Sequence, residues 1–180
     1  MAPTRTEEPE LVLDLPDLAA TQALARLLAA RVRRGDVIAL SGGLGAGKTT
    51  LARAFINALA ALTGYPAEEV PSPTFTMVQA YDFPGMSVWH FDLYRLERAE
   101  DAYELGIEEA FAAAVSLIEW PERLGSLLPA ERLDIRLELL DGERRRAVVR
   151  GSGAWAQRLS ELVPELAPEP VPVLGSGAHG

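Results

Sequence analysis

The sequence predicts an α/β fold: a mixed sheet flanked by helices, with a β-hairpin at its C-terminal end. Three observations carry this. Short apolar or alternating runs are separated by longer stretches with helical spacing, the signature of strands alternating with helices. A run of glycines, Gly42 to Gly47, sits where one such strand gives way to a helix. Near the C-terminus, two strand-like runs flank Asp141-Gly142, a dipeptide suited to the positive-φ positions of a tight hairpin turn.

The elements follow in order. Leu11 to Leu15 alternates apolar and polar residues and reads as a short strand. Asp17 is an N-cap for an Ala/Leu-rich helix, Leu18 to Arg33, whose Leu24, Leu27 and Leu28 share one face. Val37 to Leu40 is an apolar strand that runs into the glycines, and Leu51, Phe55 and Leu59 then recur at helical spacing until Gly64 stops the helix. Thr74 to Tyr81 and Ser87 to Tyr94 are β-rich; the second alternates Val88, His90, Asp92 and Tyr94 against Trp89, Phe91 and Leu93. Short helices are expected at Ala99 to Leu105 and Ile107 to Ala113. Val115 to Ile118 is a continuous apolar run suited to a buried strand, ended by Glu119-Trp120-Pro121. Leu133 to Leu139 and Arg146 to Val149 form the hairpin, and Trp155 to Val163 a last amphipathic helix. Residues 1–163 read as one domain, and the Pro/Gly-rich tail of residues 164–180 is expected to be disordered.

Composition narrows the function classes. The chain has 180 residues, net charge −9, no cysteine and two histidines. Disulfides and thiolate metal sites are excluded. Autonomous binding to nucleic acid through counterion release needs clustered Lys and Arg, which this acidic balance opposes. No run is long enough to span a membrane, and the polar, acidic start lacks the pattern of a signal peptide. A cytoplasmic protein is expected.

Gly42-Gly43-Leu44-Gly45-Ala46-Gly47-Lys48-Thr49 matches G-x-x-x-x-G-K-[ST] in full. The glycines let consecutive N–H groups turn inward as an anion nest, and the helix that follows adds its N-terminal dipole. Lys48 is placed to reach the β- and γ-phosphates of a nucleotide, and the Thr49 hydroxyl to ligate magnesium. The fold is therefore expected to be P-loop NTPase-like. Hydrolysis also needs a carboxylate at the end of an apolar strand, and two qualify: Asp92 after Ser87 to Phe91, and Glu119 after Val115 to Ile118.

Other residues stay open. Thr74 and Thr76 share a face if their segment is a strand, and Ser72-Pro73 before them suits a switch loop in which Thr74 senses the γ-phosphate. Trp120 reads equally as core filler or as a stacking surface. His90 reads best as a hydrogen-bonded structural histidine, and Arg144, Arg145 and Arg146 as a solvated hairpin end, with a contact to RNA phosphate or a partner as the minority reading.

Behind the P-loop stand Ser72-Pro73-Thr74-Phe75-Thr76, His90-Phe91-Asp92-Leu93-Tyr94-Arg95-Leu96 and Leu117-Ile118-Glu119-Trp120-Pro121-Glu122, with Leu15-Pro16-Asp17 and Thr21 ahead of it. In this order they resemble the TsaE family, bacterial ATPases of tRNA threonylcarbamoyladenosine synthesis, over Leu11 to Arg150. The resemblance implies binding of ATP and Mg2+ and action with TsaB and TsaD, with tRNA reached through the complex. It implies that Gly45, Ala46, Gly47, Lys48, Thr49 and Thr50 cradle the phosphates, that Thr49 and Glu119 hold magnesium, and that Asp92 is needed for hydrolysis. Leu18 and Thr21 would lie near the adenine. Gly43 departs from the acidic residue common there in the family. Two further readings of the P-loop remain: a small-molecule kinase, and a nucleotide-dependent switch without turnover.

Overall fold

The computed structural model describes residues 8–65 and 76–166. Seven strands form one sheet: β1 (Glu10–Leu15), β2 (Val37–Ser41), β3 (Val78–Phe83), β4 (Met86–Asp92), β5 (Val115–Glu119), β6 (Leu133–Leu139) and β7 (Arg145–Gly151). Their order across the sheet is β1-β7-β6-β2-β5-β4-β3. The middle four strands, β6, β2, β5 and β4, are mutually parallel, whereas β7, β1 and β3 run antiparallel to their neighbours. The mixed sheet, its flanking helices and the β6–β7 hairpin at Asp141-Gly142 are those expected from the sequence.

The two faces of the sheet follow from strand alternation. Ile38 and Leu40 of β2, with Val115 and Leu117 of β5, pack beneath α1 (Leu18–Ala29) and α2 (Lys48–Leu62). Trp155, Leu159 and Leu162 of a C-terminal helix join the same core. Val37, Phe91 and Ile118 face the other way, onto a 3₁₀ helix at Ala99–Leu105, onto α3 (Ile107–Ala113) and onto a second 3₁₀ helix at Pro121–Leu127.

Several boundaries move, each for a local reason. Asp17 caps α1 as expected, its Oδ1 accepting from Ala20 N at 2.9 Å. The helix stops at Ala29 rather than Arg33, because Asp36 Oδ2 takes the Arg33 N–H at 2.6 Å and Gly35 turns the chain at φ +89°. Among the described residues of the β-rich segment expected over Thr74 to Tyr81, the strand begins at Val78. Met77 holds φ +63°, and Thr76 sits in the turn with its Oγ1 donating to Val78 O. Thr74 lies outside the described residues. β4 ends at Asp92 rather than Tyr94, because Asp92 Oδ1 accepts from Tyr94 N and folds the chain over. The C-terminal helix, α4 (Ala154–Leu166), continues through Pro164, and the rest of the tail lies outside the described residues.

The end of the sheet away from the glycine loop is tied by a buried ion pair. Arg158 of α4 donates from Nη1 and Nη2 to both oxygens of Asp36, at 2.6 and 2.8 Å, and stacks on Trp155. A bidentate guanidinium–carboxylate pair satisfies both charges at once. It locks the last helix against the turn that leads into β2. Among the described residues no helix is long and apolar enough to cross a membrane.

Candidate functional site

β2 ends at Ser41 and the chain passes through the glycine loop into α2, which starts at Lys48. Gly42 has φ +137°, and a Cβ there would meet Leu137 O of β6 at 2.4 Å, so only glycine lets the loop lie against the sheet. Gly45 and Gly47 also hold positive φ, at +76° and +104°. No side chain caps α2. Its first N–H groups are therefore left for solvent or an anion, at the positive end of a helix dipole.

Lys48 is buried in this loop. Its Nζ donates to Gly42 O at 2.7 Å and Gly43 O at 2.8 Å, and lies 4.2 Å from the centroid of the Trp120 ring. Burial lowers its pKa from 10.5, opposed by the carboxylates of Glu119, Glu122 and Asp92. The loop's own carbonyls and an aromatic face thus occupy the ammonium group.

The carboxylates arrive by register. Leu40, Glu119 and Asp92 stand side by side on the parallel strands β2, β5 and β4, so two acids reach the C-terminal edge of the sheet together, where α/β sheets bind ligands. Glu119 is 2 % exposed. Its Oε1 accepts from the Thr49 hydroxyl at 2.6 Å, and its Oε2 meets His90 Nε2 at 2.7 Å. A carboxylate only accepts, so Nε2 carries the proton in this pair. His90 Nδ1 has no hydrogen-bond partner among the described residues. The histidine is fully buried, and its contact fixes the rotamer that presents Glu119 to Thr49. Trp120 then leaves β5 at φ +59°, a left-handed conformation that lays its ring between Lys48 and Tyr94, whose ring centroid is 5.0 Å away.

Two adjoining cavities result. One, of about 400 Å³, is lined by Gly45, Gly47, Lys48, Thr49, Thr50, Asp92 and Glu119, with Tyr94, Arg95, Trp120 and Arg145 at its sides. The other, of about 170 Å³, is bounded by Asp17, Leu18, Thr21 and Ala46, and opens beside Gly47, Thr50 and Arg145. The first falls within the size range of ligand clefts. Of the residues expected to bind nucleotide or cation or to act in hydrolysis, Leu18, Thr21, Gly45 to Thr50, Asp92 and Glu119 each line one of the two; Thr74 is not described, and Thr76, His90, Arg144 and Arg146 line neither. Sequence reasoning did not single out Arg145 from its neighbours Arg144 and Arg146. It also offered no sign of the left-handed Trp120 or of the 3₁₀ helix behind it.

The donor set suits a hard divalent cation in one way. Among the described residues no group of three or more His, Cys, Asp or Glu side chains is placed to cage a metal. A hydroxyl and a carboxylate 2.6 Å apart at the mouth of an anion nest fit the pattern in which magnesium takes one or two protein oxygens and completes its shell with phosphate and water.

A strand that ends in G-x-x-x-x-G-K-T, a helix that starts on it, and acids on the neighbouring parallel strands define the P-loop class of α/β folds. Within that class, the family model described as "Threonylcarbamoyl adenosine biosynthesis protein TsaE" matches residues 15–148. The tRNA threonylcarbamoyladenosine biosynthesis protein TsaE of Rickettsia bellii is 38% identical over 125 residues, 69% of this chain and 84% of that protein. The Bacillus subtilis protein of the same name is 35% identical over 142 residues, 78% of this chain and 85% of its own length. The crystal structure of Bacillus subtilis YdiB superposes with a TM-score of 0.70 at 29% identity, covering 88% of this chain and 97% of that one. The chain belongs to the TsaE family of tRNA threonylcarbamoyladenosine biosynthesis.

Proposed function

We propose that this protein binds and hydrolyses ATP in a magnesium-dependent manner, and that it does so with TsaB and TsaD to support threonylcarbamoyl modification of the adenosine next to the tRNA anticodon. The observation that carries the ATPase reading is the meeting of Thr49 and Glu119 at the mouth of the glycine loop, with Asp92 in register on the next strand. The family membership carries the pathway, and the identity of the partners rests on the motifs shared with that family.

In this reading the backbone N–H groups of Gly45 to Thr50 and the Lys48 ammonium bind the phosphates, and Thr49 with Glu119 holds the cation. Magnesium supplies charge neutralisation on the phosphate oxygens. His90 holds the Glu119 carboxylate in place from behind. Asp92 stands where it can either orient water or anchor the cation's hydration shell. Trp120 and Tyr94 wall the cleft and limit access of bulk water. Leu18 and Thr21 flank the smaller cavity, which takes the nucleoside. The site works in the cytoplasm.

Phosphate release by the purified chain, measured alone and with TsaB and TsaD, tests the proposal. Slow turnover, stimulated by the pair and abolished in Glu119→Ala, is expected. Absence of stimulation together with phosphate transfer to a metabolite would replace the proposal with a kinase.

A further inference from the structure

We propose that Arg95 is a further catalytic residue of the cleft, a guanidinium supplied by the chain itself that meets the γ-phosphate as it passes to water. The inference rests on the reading of the cleft as an ATPase site, and adds to it the group that takes up charge in the transition state.

Charge is the first reason. The larger cavity sets two buried carboxylates, Glu119 and Asp92, beside Thr49, and a triphosphate brings further negative charge to the same end. Lys48 is the cation of the glycine loop, already in the field of Glu119, Glu122 and Asp92. One ammonium and one divalent cation leave that end of the cleft negative. In hydrolysis a water oxygen bonds to the γ-phosphorus, the bond from phosphorus to the bridging oxygen breaks with its electron pair left on ADP, and the water gives up its proton. Charge spreads over the equatorial and leaving oxygens as this happens, and a cation placed among them lowers the barrier without itself forming a bond.

Position is the second reason. Besides Lys48, two cationic side chains line the larger cavity, Arg95 and Arg145, and they come from different elements. Arg145 also borders the smaller cavity, whereas Arg95 borders the larger alone. Arg95 lies in the turn that leaves β4 just after Asp92. It therefore approaches from the side of the carboxylates, across the cleft from the glycine loop.

The turn itself is held from below. Leu93 and Leu96, 0 % and 5 % exposed, anchor it in the core that Phe91 and Ile118 share. Leu93 N donates to Glu119 O at 3.1 Å, Leu96 N to Leu93 O at 3.0 Å, and Tyr94 N to Asp92 Oδ1 at 3.1 Å. The backbone that carries Arg95 is thus bonded to both acid-bearing residues of the cleft, while its side chain is exposed. Reaching a phosphate costs side-chain freedom and little backbone ordering. The planar fork then presents two parallel N–H donors to phosphoryl oxygens, which an ammonium cannot do.

The test compares Arg95→Ala and Arg95→Lys with the wild-type full chain. Phosphate release at saturating ATP and Mg2+ is measured alone and with TsaB and TsaD. Calorimetric titration follows with ADP, with a non-hydrolysable ATP analogue, and with ADP plus aluminium fluoride, a mimic of the phosphoryl group in flight. In Arg95→Ala kcat should fall about 10²- to 10³-fold. Arg95→Lys, which keeps charge and stem without the fork, should lose about tenfold or more, and reads the role even should the alanine variant not fold. Affinity for ADP and for the ATP analogue should stay within about threefold of wild type, with the loss appearing in the aluminium fluoride complex. Arg98→Ala, whose guanidinium faces Glu100 and lines neither cavity, should stay within about twofold throughout, with melting temperature as the check on folding. Unchanged kcat in both Arg95 variants overturns the inference. So does a loss of analogue affinity with kcat kept, which would make Arg95 a ground-state binding residue only. A wild-type chain that releases no phosphate, alone or with the pair, brings down the ATPase reading and this inference with it, a result seen before any variant is made.

Discussion

Replacing Glu119 with glutamine separates the metal role of this residue from its structural one. The isostere keeps the volume of a side chain that is 2 % exposed. Its amide has an arrangement that satisfies both neighbours: oxygen toward His90 Nε2–H, and NH2 toward Thr49 Oγ1, replacing contacts of 2.7 and 2.6 Å. Two charge-assisted hydrogen bonds become neutral ones, a loss of about 1 kcal/mol. That lowers the melting temperature of a domain of this size by about 2–4 °C. The effect on the cation is larger, because the negative charge is gone and an amide donor now points at the Thr49 oxygen. Nucleotide affinity in chelator should be unchanged or tighter, since one anion has left the neighbourhood of the phosphates. In Mg2+ the gain in affinity should be lost, and phosphate release should fall about 10²- to 10³-fold. Titration of Mg2+ at fixed nucleotide, followed by calorimetry and phosphate release, reads each part. A Glu119→Gln protein whose Mg2+ midpoint and turnover both stay within about twofold of wild type would show that the cation is held elsewhere.

Two further outcomes follow from the geometry. Gly42→Ala drives a Cβ to 2.4 Å from Leu137 O at φ +137°, so stability should drop by about 1–3 kcal/mol in urea denaturation, with nucleotide affinity lost well beyond that factor because the loop shifts off the sheet. Tyr81 has its pKa raised above 10.0 by burial, against the opposing pull of Arg53. Below pH 10.0 the phenol is neutral in both states; above it the unfolded chain ionises first, so stability falls as pH rises through the folded value. Tyr81→Phe should flatten that alkaline decline in denaturation curves, and an equally steep decline in the variant would assign it to other groups.

Local chemistry made most of the fold legible. The glycine loop, the Asp17 cap, the Asp141-Gly142 turn and the alternation in Ser87 to Asp92 are each encoded within a few residues. They were read correctly, with boundaries shifted by side-chain bonds such as Asp36 to Arg33 N and Asp92 to Tyr94 N. Strand order is different, because both sheet neighbours of β2, β5 and β6, lie far downstream along the chain. That Leu40, Glu119 and Asp92 share one level of the sheet depends on register that no short window carries. The same holds for Arg145. Three identical side chains in a row offer no local basis for choosing the one that turns inward, which is decided by the twist of the hairpin against the loop it covers.

The hold of Lys48 on Gly42 O and Gly43 O has a consequence for selectivity. The loop is a closed circuit, with its cation clasped by its own backbone and shielded by the Trp120 ring. An incoming anion is thus compared with an internal rival rather than with water. If the proposed function holds, chloride, sulfate or a monophosphate would offer too little to displace two short hydrogen bonds and an aromatic face, while a polyphosphate chain would engage the nest and the lysine together. The loop would then act as a latch with a threshold, shut to the abundant small anions and released by the multivalent ones.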